Sequence, residues 1–92
     1  MIYTITTLTN DGEDSRCVGY FATFERAEEA LAENECDINE ADTYPLAVIE
    51  RVQEGLYPAT EELWYKWNGL LGRYVPCDKP DQFKNFCNFG IG

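Results

Sequence analysis

Asp11-Gly12 lies between two runs that favour strands, and this dipeptide constrains the first third of the fold. Ile2 to Thr9 is rich in β-branched residues, and Arg16 to Phe21 is a second strand-like run. Asp-Gly is the strongest short-range hairpin signal, because Gly12 supplies the positive φ that a tight turn requires. An antiparallel hairpin is therefore expected at the start. Thr23 then offers an N-cap, and Glu25 suits the positive end of a helix dipole. Phe24, Ala27 and Leu31 follow at i, i+3 and i+7, which together mark a helix from about Phe24 to Asn34.

Glu35 to Tyr44 lacks periodicity and stops before Pro45, which drives Tyr44 out of the α region, so a loop is expected there. Leu46-Ala47-Val48-Ile49 continuing to Val52 reads as a buried strand that Glu54-Gly55 ends, with Tyr57-Pro58-Ala59-Thr60 as the next connection. Leu63 to Trp67 and Arg73 to Val75 flank Asn68-Gly69-Leu70-Leu71-Gly72, a second hairpin with a longer glycine-containing turn. Pro80 can open a short helix whose apolar positions Phe83, Phe86 and Cys87 fall at i, i+3 and i+4. The order β-β-α-β-β-β-α predicts an α+β fold: about five strands in a small, mostly antiparallel sheet, with one amphipathic helix on one face. At 92 residues only one core is expected, so residues 1–92 read as a single domain. With 45% apolar and 14% aromatic residues, the chain can bury enough surface to fold despite its charge.

That charge is unevenly placed. The net charge is −10, and Asn10 to Asp42 carries −9 of it, eleven carboxylates against Arg16 and Arg26. On a 100° wheel Phe24, Ala27, Ala30 and Leu31 share one face, while Glu25, Glu29 and Glu33 form a stripe roughly opposite. Like charges at i,i+4 cost roughly 0.2 to 0.5 kcal/mol each. The flanking loops add Asp11, Glu13 and Asp14 before the helix and Asp37, Glu40 and Asp42 after it. Folded beside the stripe, they would make one continuous anionic face. Such a face can simply keep a small protein soluble. Alternatively it engages a basic surface of another protein, such as a nucleic-acid groove, since one helical turn approaches the phosphate spacing along a strand. Direct binding to a nucleic acid or an anionic membrane is disfavoured, because both reward Lys and Arg.

Nine of the thirteen aromatics fall after residue 43. In Leu63-Trp64-Tyr65-Lys66-Trp67, Trp64 and Lys66 share one strand face and Leu63, Tyr65 and Trp67 the other. An exposed Trp64 beside Lys66, with Tyr74 across the hairpin, would form a second candidate partner-binding face or a homodimer contact. The competing expectation is that the C-terminal segment covers Trp64.

Little supports catalysis or metal binding. The chain has no His, so the commonest general base and metal ligand are missing, and its only serine, Ser15, falls in a turn beside carboxylates. No catalytic residues, metal ligands or cofactors are assigned. The cysteines show no Cys-x-x-Cys spacing. Asp37-Ile38-Asn39-Glu40-Ala41-Asp42 starts like a calcium loop but lacks its sixth-position Gly and twelfth-position Glu, where Val48 stands. No signal peptide and no run of about 20 apolar residues is present, so a cytoplasmic protein is expected. There Cys17, Cys36, Cys77 and Cys87 would be thiols, with Cys17 and Cys87 in apolar surroundings.

Thr9 to Phe21, Leu63-Trp64-Tyr65-Lys66-Trp67-Asn68 and the ending Asn88-Phe89-Gly90-Ile91-Gly92 resemble small acidic hypothetical proteins of gut bacteria and their mobile elements. The resemblance spans nearly the whole chain and implies no particular activity or site residue. By class-level analogy, small acidic proteins of phages and plasmids resemble inhibitors of host nucleic-acid enzymes. The expectation is a non-enzymatic interaction protein, with an inhibitor that mimics nucleic acid as its most specific form.

Overall fold

The computed structural model describes residues 1–56 and 60–91. Five strands form one antiparallel sheet: β1 (Ile2–Leu8), β2 (Ser15–Phe21), β3 (Leu46–Val52), β4 (Thr60–Asn68) and β5 (Arg73–Cys77), in the order β2-β1-β3-β4-β5. One helix, α1 (Phe24–Ala32), packs against it, so the fold is α+β. Of the connection expected at Tyr57-Pro58-Ala59-Thr60, residues 57–59 lie outside the described residues.

The first turn closes as its residues dictate. Gly12 takes φ +74°, its N–H donates to the Thr9 carbonyl at 3.0 Å, and Asp11 accepts from the Glu13 N–H and the Thr9 hydroxyl. A Cβ at Gly12 would also stand 2.6 Å from the Phe83 ring, so a side chain is excluded by packing as well as by φ. The N-cap of α1 is Thr23, whose hydroxyl accepts from the Arg26 N–H at 3.3 Å. The helix ends two residues short of Asn34, because Asn34 adopts a left-handed conformation at φ 46°.

Strand alternation sorts the side chains onto two faces. Tyr3, Ile5, Ala47, Ile49, Tyr65 and Tyr74 face the helix, and Ala27, Ala30, Leu31 and the loop residue Ile38 complete that core. A register shift between Ile5 and Thr6 turns Val18 toward the same core. On the other face Leu8, Leu46, Val48 and Trp64 meet Phe83 and Phe89 from the C-terminal segment. The sheet is thus covered on both sides, by α1 on one and by residues after Cys77 on the other.

That segment departs from the expected helix. Only Asp81–Phe83 coils, as a 3-10 turn, and of the three apolar positions expected on the helix only Phe83 packs inward, while Phe86 and Cys87 are exposed. A 3-10 turn ends before the i+3 and i+4 apolar positions can be drawn onto the sheet. Cys17 is exposed as well, because it lies on the edge strand β2. Apolar surroundings for Cys17 and Cys87 are therefore not found. All four cysteines are free thiols.

Candidate interaction surfaces

The acidic residues do not form one continuous face. The hairpin turn carrying Asp11, Glu13 and Asp14 is drawn away from α1: Gly12 packs on Phe83, and Gln82 Nε2 donates to the Asn10 carbonyl at 2.9 Å. Phe83 belongs to the core on the sheet face opposite the helix. Asp37, Glu40 and Asp42 lie in the loop that buries Ile38 against the helix-side core. The two loops therefore bend to opposite sides of the sheet. Phe83 and Gln82 hold the first turn on its side.

Several of the acids hold turns. Asp37 Oδ1 accepts from Asn34 Nδ2 at 3.3 Å and from the Ala41 N–H at 3.5 Å, and Asp42 Oδ1 accepts from Asn39 Nδ2 at 3.4 Å. Asn39 is the buried centre of this loop, exchanging bonds with Asn34 through both its backbone N–H and its side chain. Left-handed conformations recur at Asn34, Cys36, Asp37, Glu40, Ala41 and Asp42, which explains the absence of helical or strand periodicity. Glu40 pairs with Arg16 at 2.6 Å, and the Arg16 guanidinium lies 5.0 Å from the Tyr44 ring. The Asp11 carboxyl is held below the usual carboxylate range, chiefly by the Glu13 N–H and then by the Thr9 hydroxyl.

The stripe on α1 is different. Glu25, Glu29 and Glu33 are all exposed, and Glu29 has Arg26 as an ion-pair partner at 2.9 Å. Carboxylate oxygens of Glu29, Glu33 and Glu35 all lie within 4.8 Å of one another. Glu35, in the 3-10 turn that follows α1, was not among the expected stripe residues. Glu28 has a packing role instead, its carboxylate accepting from the Tyr65 hydroxyl at 2.8 Å.

The aromatic face does not assemble. Trp64 is 4% exposed, stacked on Phe83 at 5.5 Å and edge-on to Phe89 at 5.2 Å, and its Nε1 donates to Glu62. Tyr74 pairs with Trp67 in the ladder, which places it on the opposite sheet face from Trp64. There it is 3% exposed, and its hydroxyl donates to the Tyr44 carbonyl at 2.7 Å. Only Lys66 of the three is exposed. The cause is register: Val75, not Tyr74, lies opposite Lys66.

One polar centre had no counterpart in the sequence reading. Glu50 is 1% exposed in the middle of β3, between Thr4 of β1 and Glu62 of β4. Its carboxylate accepts the N–H of Phe89 at 3.0 Å, the N–H of Gly90 at 2.8 Å and the Thr60 hydroxyl at 3.3 Å. The neighbouring Glu62 is balanced by Lys79 at 2.9 Å. Gly90 fits because any Cβ there would stand 2.9 Å from Thr4 Oγ1. The hydroxyls of Thr4, Thr6 and Thr7 are buried without hydrogen-bond partners among the described residues. The signal was legible in principle: alternation places Glu50 on the same face as Leu46, Val48 and Val52, all buried.

Among the described residues, no helix is long and apolar enough to cross a membrane. No protein-family model, curated protein or solved structure matches the chain.

Proposed function

We propose that the protein is a non-enzymatic, cytoplasmic interaction protein whose helix-side acids engage a basic surface of another protein. The observation that carries this is the convergence of the exposed Glu29 and Glu33 with the half-buried Glu35 within 4.8 Å. Clustered like charges oppose one another and weaken a helix, and a basic partner would turn that opposition into attraction and speed encounter. Glu25 continues the stripe one turn away. Asp37 and Asp42 contribute charge while holding the adjoining loop. The most specific form is an inhibitor that occupies the nucleic-acid groove of its partner, of the kind encoded by phages and mobile elements.

The double substitution Glu29→Lys with Glu33→Lys tests this. Both positions are exposed, so the fold should persist by circular dichroism. Affinity capture from a lysate of the source cell at low salt should lose a partner that the unaltered protein retains, and high salt should release that partner from the unaltered protein. Capture undiminished by the substitutions in moderate salt would remove the proposal.

A further inference from the structure

We propose that the uncovered edge of β4 beside Glu62 is a docking site for an extended, basic peptide segment of another protein, which adds to the sheet as a short strand in line with β5. β4 has nine residues and β5 only five, and their ladder stops at the pair Trp64 and Cys77. Beyond it, Thr60 to Leu63 pair with β3 alone among the described residues.

The direction of the free backbone groups follows from two measured bonds. The Trp67 N–H donates to the Pro45 carbonyl at 2.8 Å, so Trp67 and, by alternation, Tyr65, Leu63 and Glu61 turn their backbone groups toward β3. Gly72 N–H donates to the Asn68 carbonyl at 2.8 Å, so Asn68, Lys66, Trp64 and Glu62 turn theirs toward β5. At Glu62, β5 has already left the sheet. Its backbone N–H and C=O have no hydrogen-bond partner among the described residues.

The chain leaves because Lys79 is drawn over the face opposite α1, where its ammonium bonds Glu62 Oε1 at 2.9 Å and the Phe86 carbonyl at 2.7 Å. A groove of about 390 Å³ remains, bounded by Glu28 from the helix side and by Asp78 and Lys79 from the departing strand. Along β4 the uncovered stretch from Thr60 to Leu63 is roughly 13 Å at ~3.3 Å per residue, room for three or four peptide residues. The other two edges are guarded: β5 carries Pro76, which has no N–H to offer, and β2 is bulged at Val18.

Charge selects the occupant. Lys79 is already paired with Glu62, leaving Glu28 and Asp78 on either side of the groove. A lysine or arginine in the added strand would meet them. A second copy of this chain would instead set these acids against themselves. This site uses none of the contacts of the Glu29, Glu33 and Glu35 cluster.

The test is an NMR titration of the ¹⁵N-labelled full chain with an acetylated hexapeptide alternating lysine and valine. The Glu62 amide should show a saturable shift and slowed hydrogen exchange. N-methylation of the peptide's central residues should weaken binding at least tenfold, and a peptide alternating glutamate and valine should not bind. The Glu29→Lys, Glu33→Lys protein should keep the Glu62 response, which separates this site from the helix face. The proposal is overturned by shifts centred on Glu29, Glu33 and Glu35, or by equal binding of the N-methylated peptide. It is likewise overturned if no saturable Glu62 shift occurs, or if that shift appears with protein concentration alone.

Discussion

At the scale of a single residue, Glu50 is the most consequential side chain outside the apolar cores. A carboxylate moved out of water loses several kcal/mol of hydration unless bonded groups replace it. Among the described residues Glu50 has no cationic partner, and two backbone N–H groups of the C-terminal segment with one hydroxyl take water's place. These are charge-assisted bonds, stronger than neutral ones. Glu50→Gln keeps the shape but turns an amide NH₂ toward a backbone donor. It should cost about 1 to 3 kcal/mol in urea unfolding. The Phe89 and Gly90 amides should exchange faster in the variant, and unchanged exchange at both would contradict the role assigned to Glu50. The same strand shows why this centre was missed. Leu46 to Val52 is apolar enough to read as buried, but burial alone does not say what a glutamate within it will bond, and its backbone partners Phe89 and Gly90 lie 39 and 40 positions later in the chain.

Elements were legible wherever the cause was local. The Asp11-Gly12 turn, the Thr23 cap and the spacing of Phe24, Ala27 and Leu31 act over a few residues, and β1, β2 and α1 appear where they predict. Register across the second hairpin was not local. Whether Tyr74 or Val75 faces Lys66 depends on the turn at Asn68, whose side-chain oxygen accepts from the N–H groups of both Leu70 and Leu71 and fixes the loop length. The acidic loops show the same limit, since Phe83 and Gln82 decide which side of the sheet the first turn takes. The C-terminal cover is an element in its own right, built from few contacts. Phe89 meets both Trp64 and Phe83, at 5.2 and 6.0 Å. Phe89→Ala should cost about 2 to 4 kcal/mol, at or below the range for a core Phe because Phe89 is only half-buried. Tryptophan emission should shift to the red as Trp64 meets water. An unshifted spectrum would mean that the cover does not depend on that ring.

For the molecule as a whole, net charge and two buried tyrosines set how conditions change stability. Burial raises the Tyr65 hydroxyl above the usual tyrosine range, and the Glu28 carboxylate raises it further. Burial likewise raises Tyr74, with Arg16 opposing and Asp37 and Asp42 adding to the rise. A raised folded-state pKa gives stability that is fully present below the unfolded value near 10 and is lost as pH climbs toward the folded value. Urea unfolding at pH 9, 10 and 11 should therefore show a decline that steepens above 10, at most about 1.4 kcal/mol per pH unit for each tyrosine. Tyr65→Phe should flatten the decline. Salt acts in the opposite sense. The molecule measures 38 × 27 × 19 Å, and the screening length is about 30 Å at 0.01 M salt but about 10 Å at 0.1 M. At the lower concentration repulsion acts across the whole fold, whereas at the higher one it is confined to neighbours such as Glu29, Glu33 and Glu35. Raising sodium chloride from 0.01 to 0.1 M should therefore lift the urea midpoint, with little further gain from screening above that. Glu29→Lys with Glu33→Lys shifts the net charge by four units toward zero, so the variant should be more stable at 0.01 M and respond less to salt. A variant with the same salt response as the unaltered protein would mean that the helix acids do not dominate the repulsion, and that the charge of the first hairpin turn weighs more.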